Sequence, residues 1–304
     1  MIIKSSVFIL GAGASVPYSY PTGFELQEEI KNYLKNVDLQ PDKEVQLKLW
    51  DDLGFKLIQL KKFYTDFSHS ATYSVDKFLE RRPDHIELGK LLIAFVLKKK
   101  EHAYSLAINL KESNWYADLA NRLDMAPDNV SGLKVSFVTL NYDRSLEYFL
   151  YNMLKHKTTD EVKALEAFKS IKIIHVYGGF NNFPWESEGI SYDDVVTKDI
   201  LTKYSSGIKI MSDERQTDDL KKAQEFISLA HNVYFIGFGY DRKNLERLGF
   251  QYHQSMGQNI EYLTGTAFGM KNTEINDAED FTQGVIAPST VTIMDFIDSY
   301  VKYV

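Results

Sequence analysis

Two patterns alternate along this chain. Short apolar runs that end in small or polar residues are separated by stretches in which apolar positions recur every three or four residues. The first pattern suits strands buried on both faces, and the second suits amphipathic helices. Residues 3–10 are the first apolar run, closed by Gly11-Ala12-Gly13-Ala14-Ser15. Thr22 and Glu25 have capping-box spacing, and Leu26, Ile30, Tyr33, Leu34 and Val37 follow at helical intervals as far as Pro41. Residues 44–67 predict a helix with Val45, Leu49, Leu53, Leu57, Leu60 and Tyr64 on one face and Gly54 as its weak point. Ser74 or Asp76 caps a helix running through Leu79. A long helix over 84–110 and a short one over 115–124 complete a helical block. That block is too long for one crossover between two strands. It is expected to be a helical insertion or subdomain, residues 24–130, within a single domain spanning 1–304.

Beyond the block, strands and helices alternate. Leu133 to Leu140 predicts a strand, and Asp143 to Lys155 a helix with Leu146, Phe149, Leu150 and Met153 inward. Ile171 to Tyr177 is a strand ending at Gly178-Gly179. Residues 181–215 are loop-rich, with Pro184, Trp185, Gly189 and Gly207, which suits a mobile segment over a site. Thr217 caps a helix through Ala230, followed by a strand from Val233 to Ile236 that ends at Gly237-Phe238-Gly239. A short helix from Asp241 to Leu248 precedes a strand from Ile260 to Leu263, which ends at Thr264-Gly265-Thr266-Ala267. Residues 292–303 form a terminal helix with Ile293, Phe296, Ile297 and Tyr300 inward. This order predicts an α/β fold: a doubly wound, Rossmann-like parallel sheet with a large helical insertion after the first strand.

Composition narrows the chemistry. The 304 residues are 44% hydrophobic and 13% aromatic, a globular composition, and the 19 tyrosines and 19 phenylalanines read mostly as core. The formal charge of -7, from 35 basic and 42 acidic residues, argues against a general nucleic-acid or membrane-surface binder. With no cysteine, disulfides, thiol nucleophiles and cysteine-ligated zinc are excluded. The seven histidines show no metal-binding spacing, so no metal is expected. The most apolar run, Leu91 to Leu97, is stopped by three lysines and is too short to span a bilayer. The apolar N-terminal run is too short for a signal peptide and has a better use as a strand, so a cytoplasmic location is expected.

The strand ends carry the candidate chemistry. In open α/β sheets, ligands bind in the crevice beyond the carboxyl ends of the strands. Five such ends close in Gly11, Asn141, Gly178, Gly237 and Gly265. The Gly11–Ser15 loop fits a phosphate cradle, because glycine allows close backbone approach and free N–H groups attract anions. It equally fits a tight turn after a buried strand, since Val16 stands where the third glycine of G-x-G-x-x-G would be. Asn141 offers an amide that can hold a ribose hydroxyl or a water, whereas Asp143 alone reads as a helix cap. His175 and Tyr177 share one face of their strand by alternation; each is more often a structural group than a catalyst.

At these residues the chain resembles the sirtuin-like NAD-binding domains of bacteria, in their antiphage-defence branch. Gly11-Ala12-Gly13-Ala14-Ser15 with Pro21-Thr22-Gly23 resembles the sirtuin Gly-Ala-Gly-x-Ser loop and its following proline. Thr139-Leu140-Asn141-Tyr142-Asp143 resembles Thr-x-Asn-x-Asp, and Val176-Tyr177-Gly178 stands in the place of x-His-Gly. Gly237-Phe238-Gly239 and Thr264-Gly265-Thr266 occupy the late nucleotide-binding turns, and Ser74 to Leu79 resembles a segment of the defence-associated branch.

The resemblance implies NAD as substrate, cleaved at the nicotinamide–ribose bond through an oxocarbenium-like state. It implies that Asn141 orients the ribose or the attacking water, that Asp143 contacts the nicotinamide carboxamide, and that the first glycine loop with Thr22 holds the pyrophosphate. Two departures matter. The four-cysteine zinc module of sirtuin deacylases is missing, which argues against deacylation. The family's base is the histidine before glycine, and here that residue is Tyr177, a poor base with an ordinary pKa of about 10. His175 lies two residues earlier on the same strand face, so the catalytic candidates beside Asn141 are His175 and Tyr177: one of them takes a modified role, or catalysis is weak.

The first reading is therefore an NAD glycohydrolase, an antiviral effector that forms a homo-oligomer and is triggered by assembly or by a partner. A separately encoded ATPase or sensor protein enters by family analogy only. The second reading is a catalytically weak or inactive NAD or ADP-ribose binding module of a larger complex. A dehydrogenase is weaker, because neither a full G-x-G-x-x-G nor the expected ribose-binding acid is present.

Overall fold

A computed structural model describes residues 4–107, 114–180, 182–210, 217–251 and 259–302. Residue 3 of the first predicted strand lies outside the described residues, as do 108–110 of the long helix, 181 and 211–215 of the loop-rich segment, and 303 of the terminal helix. The chain divides into two compact units. The first comprises Met1–Tyr18, Leu106–Val176 and Gln216–Val304; the second comprises Ser19–Ser105 and Tyr177–Arg215. Among the described residues no helix is long and apolar enough to cross a membrane.

The first unit is built on a six-stranded sheet: β1 (Ser6–Leu10), β2 (Val135–Thr139), β3 (Lys172–His175), β4 (Asn232–Ile236), β5 (Tyr262–Gly265) and β6 (Val285–Ile286). All neighbours pair in parallel, in the order β3-β2-β1-β4-β5-β6. This is the doubly wound, Rossmann-like order. The strands are continuous apolar runs because helices cover both faces of such a sheet; every residue of β1 and β4 is buried. Phe8 of β1 stacks between Phe137 of β2 and Tyr234 of β4, at ring distances of 5.6 and 5.0 Å.

Register decides where the site lies. Leu10 pairs with Thr139 on one side and with Ile236 on the other. The loops beginning at Gly11, Leu140 and Gly237 therefore leave the sheet at one level. The order of strand addition reverses at β1: β2 and β3 are laid down to one side, and the chain then returns to place β4 on the other. The β1–β4 boundary is thus the switch point, where an open α/β sheet has its crevice.

The observed elements differ from the expected ones in particular places. The third strand ends at His175 instead of Tyr177; Val176 still donates to Thr139 O at 2.9 Å, and Tyr177 already belongs to the second unit. The helix expected from Asp143 starts at Ser145. Helices at Glu161–Ser170 and Asn272–Thr282 and the two-residue β6 were not anticipated. Both helices bury only a narrow stripe, Ala164, Ala167 and Phe168 in one and Ile275, Ala278 and Phe281 in the other, so their apolar period is faint.

The second unit is helical. Gly23–Asn36 carries the expected capping box between Thr22 and Glu25, and Ser74 caps Val75–Arg81 through Lys77 N–H at 3.2 Å. The helix expected over 44–67 is two, Lys43–Asp52 and Leu57–His69, because Gly54 turns the chain at a left-handed φ of 91°. Val45 is consequently exposed, and Trp50, Leu60, Phe63 and Phe67 form the buried side. The helix over 84–110 is also divided, into Ile86–Lys98 and Ala103–Ala107. The break holds a buried ion pair. Lys98 Nζ meets Glu101 Oε2 at 2.8 Å and donates to Tyr192 O at 2.7 Å, and Tyr204 donates its hydroxyl to Glu101. Tyr204 lies on an unanticipated helix, Lys198–Gly207, so the segment read as loop is anchored here by charge.

Candidate functional site

The two glycine loops at the switch point lie backbone against backbone. Gly13 N–H donates to Gly237 O at 2.9 Å, and Gly11 N–H donates to Ile236 O at 3.0 Å. A Cβ on Gly11 would lie 2.5 Å from Gly237 O, and one on Gly13 would lie 2.8 Å from Gly237 Cα. Gly237 itself adopts φ of 57°, and its Cβ would fall 1.9 Å from Ala14 N. These glycines are explained first by the mutual approach of two loops. The amides of Ala12, Phe238 and Gly239 take no part in those contacts and remain the donors through which the paired loops could meet an anion.

Asn141 sits at the end of β2, partly exposed, and is held from several sides. Its backbone N–H donates to Thr139 Oγ1 at 3.0 Å. Its Nδ2 donates to Gly11 O at 3.0 Å and to Ser15 Oγ at 3.1 Å. A carbonyl only accepts, so the Gly11 contact fixes which end of the amide is nitrogen. Oδ1 makes none of these contacts and is left as an acceptor. Ser15 passes the chain on, donating its hydroxyl to Asp143 Oδ2 at 2.9 Å. The serine of the first loop is therefore bracketed by the asparagine and the aspartate of the second motif.

Asp143 is buried beneath this loop. Its Oδ1 accepts from Ser145 N–H at 3.1 Å and from the Ser145 hydroxyl, and Tyr116 OH lies 2.9 Å from Ser145 Oγ. Burial pushes the Asp143 carboxyl above its ordinary range, and the hydrogen bonds from Ser145 and Ser15 pull the other way. Both oxygens are committed to protein donors, so Asp143 shapes the loop instead of facing a ligand. Trp115 Nε1 donates to Ala14 O at 2.8 Å and ties the same loop to the helix Trp115–Arg122.

His175, at the end of β3, bridges two partners. Nδ1 lies 2.8 Å from Asn141 O, and Nε2 lies 2.5 Å from Glu147 Oε1 on the helix Ser145–His156. Burial acts to lower its pKa, but the charge and hydrogen bond of Glu147 outweigh this and raise it to about 9. At neutral pH it is an imidazolium that donates from both nitrogens. It has no lone pair to act as a base. A raised histidine pKa stabilises the fold fully below the unfolded value of about 6.5 and loses that contribution as pH rises through 9. The urea midpoint should accordingly fall between pH 6.5 and 9.5. The fall should be smaller in His175→Gln.

The remaining predicted residues are each held in contacts of their own. Phe238 is core, its ring 5.0 Å from Phe235. Thr264 is fully buried within β5, and Gly265 leaves room for Tyr240, whose hydroxyl donates to Thr266 O at 3.1 Å. Thr266 Oγ1 accepts from Gly237 N–H at 2.8 Å and so supports the second loop. Thr22 and Tyr177 belong to the second unit. Thr22 is engaged as a helix cap, and Tyr177 is buried, its carbonyl accepting from Lys209 N–H at 2.9 Å.

Sequence reasoning missed Glu147, Ser145, Tyr116 and Trp115. Glu147 lies in the first turn of its helix, where an acid normally reads as a complement to the helix dipole, so only the fold reveals its partner.

Among the described residues one group of metal-ligating type occurs, Asp66, Asp84 and His85, in the second unit. Arg82 Nη2 already lies 2.8 Å from Asp66 Oδ2, 2.7 Å from Asp84 Oδ2 and 3.0 Å from His85 Nε2. The guanidinium takes the place a cation would need.

Comparison with family models and with curated proteins returned no match.

Proposed function

We propose that the chain is an NAD glycohydrolase that releases nicotinamide and ADP-ribose, with Asn141 as the residue that orients the ribose or the attacking water. The observation that carries this reading is the state of Asn141. Its amide nitrogen is pinned by Gly11 O and Ser15 Oγ beside the switch point, and Oδ1 remains to accept from a hydroxyl or water. The paired glycine loops, with the amides of Ala12, Phe238 and Gly239, are the natural seat of the pyrophosphate.

The chemistry suits a site without a free base. Nicotinamide leaves NAD as a neutral pyridine, because the ring nitrogen is already cationic in the substrate. No general acid is needed, and water attacks an oxocarbenium-like carbon that demands little activation. One water is consumed and one proton released for each bond cleaved. Positioning, not proton transfer, is then the main contribution asked of the protein.

The engagement of both His175 nitrogens supports a second reading, an NAD or ADP-ribose binding module with little or no turnover. Incubating the purified protein with NAD and following nicotinamide by chromatography separates the two. Release under any assembly state supports the hydrolase. Calorimetric binding of NAD without release supports the module, and absence of both overturns NAD recognition. Antiviral NAD depletion, homo-oligomerisation and a separate ATPase or sensor as trigger belong to the same proposal through the resemblance alone, and a cytoplasmic setting is proposed with them.

A further inference from the structure

We propose that Glu147 is a positioning residue for Asn141, acting through His175, whose two ring nitrogens span the Glu147 carboxylate and the Asn141 backbone carbonyl. Its role in NAD cleavage rests on the reading above; the coupling itself does not.

The geometry is a three-link chain from a helix to a strand end. Glu147 Oε1 stands 2.5 Å from His175 Nε2, and His175 Nδ1 stands 2.8 Å from Asn141 O. Both members of the acid–imidazole pair are largely shielded, with side-chain exposures of 15% and 17%. A doubly protonated ring can donate at both ends together; a neutral ring carries one N–H and must leave one contact without its hydrogen. A neutral ring facing the Glu147 carboxylate keeps its one N–H at Nε2, so the Asn141 carbonyl is held only while the ring is charged, and Glu147 sets the pH range over which it is. The same residue's Nδ2 is fixed by Gly11 and Ser15, so backbone and side chain of Asn141 are anchored by independent groups. Loss of the His175 contact releases the Asn141 carbonyl, so the backbone beneath the side chain can shift while Nδ2 stays bonded to Gly11 O and Ser15 Oγ. The charged groups bearing on His175 are Glu147 and Asp143, and the Asn141 carbonyl is its remaining partner.

The experiment follows His175 and the Asn141 side-chain amide by NMR across pH 5.5–10 in wild type and Glu147→Gln, with nicotinamide release measured in parallel. In wild type the Asn141 amide resonance should move with the His175 titration, near pH 9. In Glu147→Gln both should move together at least about two pH units lower. At pH 7.5 its kcat should be about tenfold down, recovering below the new midpoint. A merely structural Glu147 would lower stability without moving the pH profile. An Asn141 amide that stays still while His175 titrates overturns the proposal, and wild type alone delivers that result should Glu147→Gln fail to fold. A coupled amide in a protein that does not cleave NAD upholds the positioning role and counts only against the hydrolase reading.

Discussion

Gly237→Ala is expected to reduce nicotinamide release by at least about a hundredfold and to lower the unfolding temperature, while Gly239→Ala, two residues along the same loop, leaves the unfolding temperature nearly unchanged. The contrast follows from what a methyl group would meet. At Gly237 it falls 1.9 Å from Ala14 N and 2.2 Å from Gly13 C, and the backbone holds φ of 57°. At Gly239 nothing lies within 4 Å, and φ is unremarkable for an ordinary residue. An ordinary carbon contact needs 3.4 Å or more, so the first loop must retreat by roughly 1.5 Å, the difference from 1.9 Å. The left-handed backbone adds about 1–2 kcal/mol against alanine. Retreat of Gly13 and Ala14 moves Ser15 and, through it, the Asn141 amide. A displacement of about 1 Å in a positioning group can lower a rate about a hundredfold. Thermal unfolding and nicotinamide release on both variants check the pair. Equal effects from the two substitutions would mean that the loop contact does not position the site.

The same loop shows how far sequence carries an argument of this kind. The apolar run of residues 7–10 and its glycine ending were legible, because a buried parallel strand leaves a continuous apolar signature. So were the helix starts at Thr22, Ser74, Thr217 and Thr292, where a side-chain oxygen accepts from the backbone three residues on. The reason for the glycines was not legible. Gly11 and Gly13 meet Gly237, more than two hundred residues away, and only the pairing of β1 with β4 brings them together. The link between Ser15 and Asp143 depends likewise on the β1–β2 pairing.

His175 illustrates a different limit. Alternation placed it with Tyr177 on one strand face, which made the two look like partners in one site. The strand ends at His175, and alternation stops with it. What defines the histidine is Glu147, on a helix whose sequence gives no sign of an ion pair. Helices such as Glu161–Ser170 escaped for a related reason: alanines on a narrow buried stripe carry little apolar signal, and tertiary packing supplies the rest.

Asn141→Ala should abolish NAD cleavage to within detection, a loss of at least about a hundredfold, while costing only about 1–2 kcal/mol of stability. The stability cost is that of the two hydrogen bonds that Nδ2 gives to Gly11 O and Ser15 Oγ, both at a partly exposed position. Activity falls with the loss of Oδ1, which no other residue of the motif replaces, since both carboxylate oxygens of Asp143 are taken by Ser15 and Ser145. Ser15→Ala separates the two roles. It removes one partner of Nδ2 but leaves Gly11 O to hold the amide and Oδ1 in place, so cleavage should fall by only about tenfold. Asn141→Asp restores an acceptor at Oδ1 but turns a second oxygen toward the Gly11 carbonyl, and it should not restore activity at neutral pH. If Asn141→Ala released nicotinamide at the wild-type rate, the amide would be no more than a loop anchor, and the reacting water would have to be held by a group outside the β2 edge.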